Sequence, residues 1–229
     1  MPVKAVAVLV ALLPALMLAG CGGVSGAGHR APAVSSILVA ALGDAVTAGS
    51  PGYDPSHGNA KLLGFAENVK SQWEYWAQQK DPRLQFRNCG VYGQRTDEIA
   101  KRLVSCARGA DVLVVEGGID DLVQGRAPRE AAANLKAMVE RGKRLGLRVE
   151  LAELIPWNNG YPTADPKIRS LNRLIVGVGR TEHVPVLPFY SVLEDPTRPG
   201  RTAEAWTADG DDPSIAGYRR LGELAFRLP

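Results

Sequence analysis

With 229 residues, 45% hydrophobic and 22% charged, the chain has the composition of an ordinary globular protein, enough for one well-buried core. Its net charge of +3 comes from Lys and Arg scattered along the sequence, with no basic run and no interleaved aromatics. That distribution excludes nucleic acid as the expected partner.

The chain opens with Lys4, an apolar stretch from Ala5 to Leu18, and the small-residue run Leu18-Ala19-Gly20-Cys21. The stretch falls short of the ~20 apolar residues of a spanning helix and contains Pro14, so residues 1–20 read as a signal peptide. Leu-Ala-Gly-Cys resembles a bacterial lipobox. The resemblance implies that Cys21 is lipidated and anchors the protein on the extracytoplasmic side of the cell envelope, where acyl chains replace a membrane helix. The alternative is an ordinary cleaved signal with Cys21 incidental. Residues 21–35, rich in Gly, Ala, Ser and Pro, read as a flexible tether, and 36–229 as the folded domain.

Ile37 to Leu42 is a continuous apolar run ending in Gly43-Asp44, the pattern of a buried strand. Leu62, Phe65, Ala66, Val69, Trp73 and Trp76 recur at helical spacing and predict one amphipathic helix over 62–79. A strand at 84–88, a helix at 96–106 and a buried strand at 112–116 follow. Pro128 to Leu145 predicts a long helix with Pro at its start and Gly146 past its end. After it come a strand at 148–155, a loop rich in Asn, Gly and Pro, a helix at 166–180, a strand at 184–187 and a helix at 215–226. Apolar strands alternating with helices predict a three-layer α/β/α sandwich on a parallel sheet. In such sheets the ligand site lies beyond the carboxyl ends of the strands.

The loops at those ends read Gly43-Asp44-Ala45-Val46-Thr47, then Asn88 to Thr96 around Gly93, then Gly117-Gly118-Ile119-Asp120-Asp121. Near the C-terminus stand Asp209-Gly210-Asp211-Asp212-Pro213 and Ala216-Gly217-Tyr218. In order, spacing and strand-loop-helix context these blocks resemble those of the SGNH/GDSL hydrolases, an esterase and lipase family. The resemblance runs from Ser36 to the C-terminus. It implies a flavodoxin-like fold, a small acyl or carbohydrate ester as ligand, and no cofactor.

Carried over position by position, the catalytic serine falls on Ala45, the oxyanion glycine on Gly93, the oxyanion asparagine on Ile119, the acid on Asp209 and the histidine on Asp212. A methyl group cannot attack a carbonyl, Ile119 offers no donor, and the usual base is missing. The expectation is therefore a family member without hydrolytic activity that keeps a ligand cleft around Asp44, Gly93, Gly118 and Asp120. An ester hydrolase working by a non-standard mechanism, or with its catalytic positions substituted in this chain, is the alternative. Asp44, Asp120, Asp209 and Asp212 could gather oxygens around a hard cation, but backbone bonding of Asp44 and Asp120 is the preferred reading and no metal is expected.

Of the three histidines, His29 lies in the tether, His57 in the loop after the first block and His183 before a predicted strand, none at the motif position. Ser50 is read as a backbone-bonding turn residue, and Trp157, Tyr161 and Trp206 as candidate cleft walls or plain loop packing. Export permits a disulfide between Cys89 and Cys106, and two buried thiols are the alternative. A monomer is expected.

Overall fold

The computed structural model describes residues 36–57 and 67–229. The signal, lipidation and tether readings, His29, and the first part of the helix expected over 62–79 lie outside them.

Five parallel strands form one sheet in the order β2-β1-β3-β4-β5: β1 (Ile37–Gly43), β2 (Leu84–Gly90), β3 (Val112–Val115), β4 (Arg148–Ala152) and β5 (Val186–Leu187). Successive side chains along a strand face opposite ways, and here both faces are apolar. Ala40 and Leu42 of β1, Leu113 and Val115 of β3 and Leu151 of β4 point into one core. Helices α3 (Thr96–Cys106), α5 (Pro128–Arg144) and α6 (Asp165–Glu182) cover that core through Leu103, Leu135 and Leu171. Val39, Ala41, Val112 and Val114 point into a second core with Trp73 of α2 (Trp73–Lys80), Phe189 of α7 (Phe189–Leu193) and Tyr218 of α8 (Ile215–Arg220). The result is the three-layer α/β sandwich that the strand-helix alternation predicts. No helix among the described residues is long and apolar enough to cross a membrane.

Three differences from the sequence reading have local causes. The helix expected over 62–79 is interrupted: Asn68 caps a 3₁₀ turn at Val69–Ser71 by accepting from the Lys70 N–H, and Gln72 is extended (φ −134°, ψ 131°) before α2 starts. A short polar side chain that bonds its own backbone competes with helix, which apolar spacing does not register. Strand β4 ends at Ala152 rather than Ile155, because β5 pairs only with Leu151 and Ala152. The Asn172 side chain then takes over, accepting from Leu154 N at 2.8 Å and donating to Leu154 O at 3.0 Å. The last helix ends at Arg220 and continues as a π-helical turn, Leu221–Ala225.

Cys89 and Cys106 form a disulfide with their Cα atoms 6.1 Å apart, joining the end of β2 to the end of α3.

Candidate functional site

Strand β1 lies between β2 and β3, so the order of the sheet reverses at its carboxyl end, where a crevice opens in doubly wound folds. The register sets Gly43 beside Gly90 and Leu42 beside both Cys89 and Val115, which brings the first three loops to one level. The first of them folds at once into a short helix, α1 (Ala45–Ala48), capped by the Asp44 side chain accepting from Val46 N at 3.1 Å. That helix sits hard against β2: a Cβ on Gly90 would lie 2.0 Å from Ala48 N. Asn88 donates to Thr47 O at 2.7 Å, and Arg102 of α3 donates to the carbonyls of Gly43 (2.9 Å) and Cys89.

Beneath this turn is a buried acid pair. Glu116, one residue past β3, accepts from the Asp44 backbone N–H at 3.3 Å and from the Thr47 hydroxyl at 2.8 Å. Burial first, and the Glu116 charge second, push the Asp44 carboxyl well above its ordinary range. Oδ2 of Asp44 has no ordinary donor, and as a protonated acid it can donate to Glu116. The pair thus keeps a proton and holds the turn from below.

Above it lies a cleft of about 210 Å³. Ala45, Val46, Ile119, Val123, Leu154 and Ile155 contribute its apolar surface. Tyr92, Gly93 and Trp157 also line it, as do four aspartates: Asp120 from the third block, and Asp209, Asp211 and Asp212 from the last. Among the described residues, no serine, threonine, cysteine, histidine, lysine or arginine lines it. All five positions matched to the family's catalytic set, Ala45, Gly93, Ile119, Asp209 and Asp212, therefore share one cleft, with no serine or histidine among the described residues that line it.

Asp44 and Gly118, also expected around the ligand, do not line it. Asp44 is fully buried below, and Gly118 starts helix α4 (Ile119–Val123), where a Cβ would stand 2.7 Å from Leu171 Cδ2. Gly118 thus secures packing against α6, at a φ of +126° that a side chain would strain. Asp120 departs from the backbone-bonding reading: its carboxyl makes no hydrogen bond to the loop among the described residues. Burial, with Asp44 the next cause, pushes it up to about 7.

In the last block, Asp209 accepts the N–H groups of Asp211 (2.9 Å) and Asp212 (2.8 Å) through Oδ1. Asp212 is 8% exposed. Burial pushes its carboxyl up to about 7, and the charges of Asp209, Asp211 and Asp120 add to the rise. Desolvation is the larger cause and neighbouring charge the smaller. The Ser50 hydroxyl hydrogen-bonds this carboxyl and partly offsets the rise, a contact that the reading of Ser50 as a backbone-bonding turn residue misses. Trp157 walls the cleft and donates to Asp211 through Nε1. Tyr161 and Trp206 instead lie under Arg201 and Arg220, with guanidinium-to-ring distances of 5.4 and 3.7 Å. His57 pairs with Glu67 at 2.5 Å and His183 ends α6, so neither reaches the cleft. The described residues contain no grouping of three or more His, Cys, Asp or Glu suited to a metal ion.

Sequence reasoning did not single out Glu116, Arg102 or Tyr92. Glu116 had a signal, a lone acid closing an apolar strand. Arg102 and Tyr92 had none, because their roles arise from contacts with other loops.

No curated protein matches the chain. Among solved structures it is similar to a protein of the lipolytic G-D-S-L family from Desulfitobacterium hafniense DCB-2 (20% identity, TM-score 0.67), covering 82% of this chain and 97% of that one. It is also similar to the lipase/acylhydrolase from Enterococcus faecalis (22%, TM-score 0.63; 81% and 91% covered). The acetylxylan esterase Axe2 from Geobacillus stearothermophilus is a further structural neighbour (17%, TM-score 0.63; 82% and 92% covered). At these identities the likeness shows the fold. Residues 41–220 match the GDSL-like Lipase/Acylhydrolase family, which spans every block of the cleft, and the chain belongs to that family.

Proposed function

We propose that this chain is a non-catalytic member of the family, a pseudoenzyme that binds a small acyl or acetylated-sugar ligand in the cleft without cleaving it. The observation that carries the reading is the lining of the cleft itself: a methyl group at Ala45, an alkyl side chain at Ile119 and a carboxyl at Asp212, with no serine, threonine, cysteine or histidine among the described residues that line it. Removing nucleophile or base from a comparable triad costs about 10⁶ in turnover, and losing one side-chain oxyanion donor costs about another 10² to 10³. The acetylxylan esterase among the neighbours supports an acetylated sugar as ligand. The lipobox-like Leu18-Ala19-Gly20-Cys21 supports a place in the cell envelope, anchored through Cys21.

The Ser50 hydroxyl at Asp212 favours a second reading, hydrolysis by a serine and carboxylate pair. Against it, Ser50 does not line the cleft.

Hydrolysis of p-nitrophenyl acetate distinguishes the two. The chain is expected at background, and the Ala45→Ser, Ile119→Asn, Asp212→His triple variant well above it. Saturable turnover by the unmodified chain that Ser50→Ala or Asp212→Asn abolishes would overturn the non-catalytic reading. For the anchor, Cys21→Ala should move the protein out of the membrane fraction, and unchanged partitioning would refute lipidation.

A further inference from the structure

Several acids outside the cleft are matched with bases. Asp97 pairs with Arg95 and Arg126, Asp165 and Glu194 with Arg169, and Glu182 with Lys136 and Lys143. Others, Glu74 and Glu150, are buried without a hydrogen-bond partner among the described residues but line no shared cavity with the cleft acids. The cleft acids lack a base and face a cavity. Among the described residues none of Asp120, Asp209, Asp211 and Asp212 takes part in an ion pair within 4.0 Å, and no cationic side chain lines the cavity they share. Asp209 is engaged by backbone N–H groups and Asp211 by the Trp157 indole. Asp120 has no hydrogen-bonding side-chain partner among the described residues, and Asp212, more than nine-tenths buried, has only the neutral Ser50 hydroxyl. Two carboxyls from different loops thus border one small apolar cavity without a counter-charge, with the Tyr92 and Trp157 rings beside them. An aromatic face attracts a cation, and a partly desolvated carboxylate does so more strongly.

Resting on the reading of this cleft as a ligand site, we infer that its ligand carries a positive charge: a small acyl ester or sugar bearing a protonated amine or a quaternary ammonium group. The position that holds a proton-accepting imidazole in the family here holds an acid, which changes the cleft from a catalytic surface into a cation-selective one. Anionic ligands are rejected by the same four side chains.

Binding is linked to protons. Asp120 faces Asp44, Asp121, Glu98 and, more weakly, Arg95, while Asp212 faces Ser50, Asp209, Asp211 and Asp120, so acids outnumber bases around both. With no cation nearby each holds its proton up to about pH 7, and an entering cation expels it. Affinity therefore rises from pH 6 to pH 8.

The decisive experiment is calorimetric titration with acetylcholine and its uncharged isostere 3,3-dimethylbutyl acetate. At pH 8 and low salt the cation is expected to bind at least about tenfold more tightly, as Coulomb attraction at a part-screened site requires. The preference should shrink at pH 6, in high salt and in an Asp120→Asn, Asp212→Asn double variant. The salt and pH series use the unmodified chain, so the inference stays testable if that variant folds poorly. Equal binding of the two esters, or tighter binding of the neutral one, would overturn the charge inference and leave the cleft reading standing. Binding of neither would overturn both.

Discussion

The support beneath the cleft and the surface of the cleft obey different rules. In the support the groups that shape the turn are engaged. Asp44 caps α1, Glu116 bonds the turn from below, Asn88 and Arg102 hold carbonyls of the first two loops, and Gly90 admits the backbone of α1. At the surface Ala45 and Ile119 bring no hydrogen-bonding side chain, and the Asp212 carboxyl has the Ser50 hydroxyl but no cationic partner among the described residues. Holding the shape of a site and performing its chemistry thus rest on separate atoms. The shape depends on backbone groups, a shared proton and close packing, none of which needs a serine or a histidine.

The sharpest way to break this contrast is to damage the support. Gly90→Ala would place a methyl 2.0 Å from Ala48 N, and the surrounding backbone cannot yield as a flexible side chain can. We expect a loss of about 3 kcal/mol or failure to fold, read by denaturant melts. Opening the 17-residue link between Cys89 and Cys106 with paired serines should cost about 3 kcal/mol in the chain-entropy treatment. If that double variant melts like the parent, the loop containing Gly93 is held without the bridge.

At the surface the sign reverses. Asp212 is raised to about 7 in the folded chain, against about 3.9 unfolded, so between those values the folded form binds more protons. Its stabilising contribution is full below about pH 4 and is lost as pH climbs towards 7. Above that the buried charge is a liability. Asp212→Asn should therefore raise stability by about 1–3 kcal/mol at pH 8, with the gain vanishing near pH 4. A variant that is neutral or weaker at pH 8 would mean that the carboxyl is stabilised as an anion. Smallest of all, Ile119→Asn exchanges one partly buried side chain at the cleft edge and should shift stability by less than about 1 kcal/mol. A larger loss would place Ile119 with the support.

Much of the fold could be read from the chain because its signals are local. The apolar run 37–42, Pro128 with Gly146, and the helical spacing over 96–106 each report on a single element, and β1, α5 and α3 lie where those signals put them. The five block positions were legible for the same reason, since the motif neighbours Gly43, Gly117 and Pro213 set their register. Helix α2 was not. Its start depends on the Asn68 cap and on Trp73 entering a core that also needs Phe86, Phe189 and Phe226.

By itself the sequence determined the alternation of strands and helices and the absence of a serine, an asparagine and a histidine from the positions that would use them. Only the tertiary structure decided what those absences leave behind. Glu116 under Asp44, Ser50 at Asp212, and Asp120 from one loop in the same cavity as Asp211 and Asp212 from another are all pairings between distant segments. The physical reason is that the charge state of a carboxyl depends on its desolvation and its neighbours, and both are properties of the folded cleft rather than of the residue type.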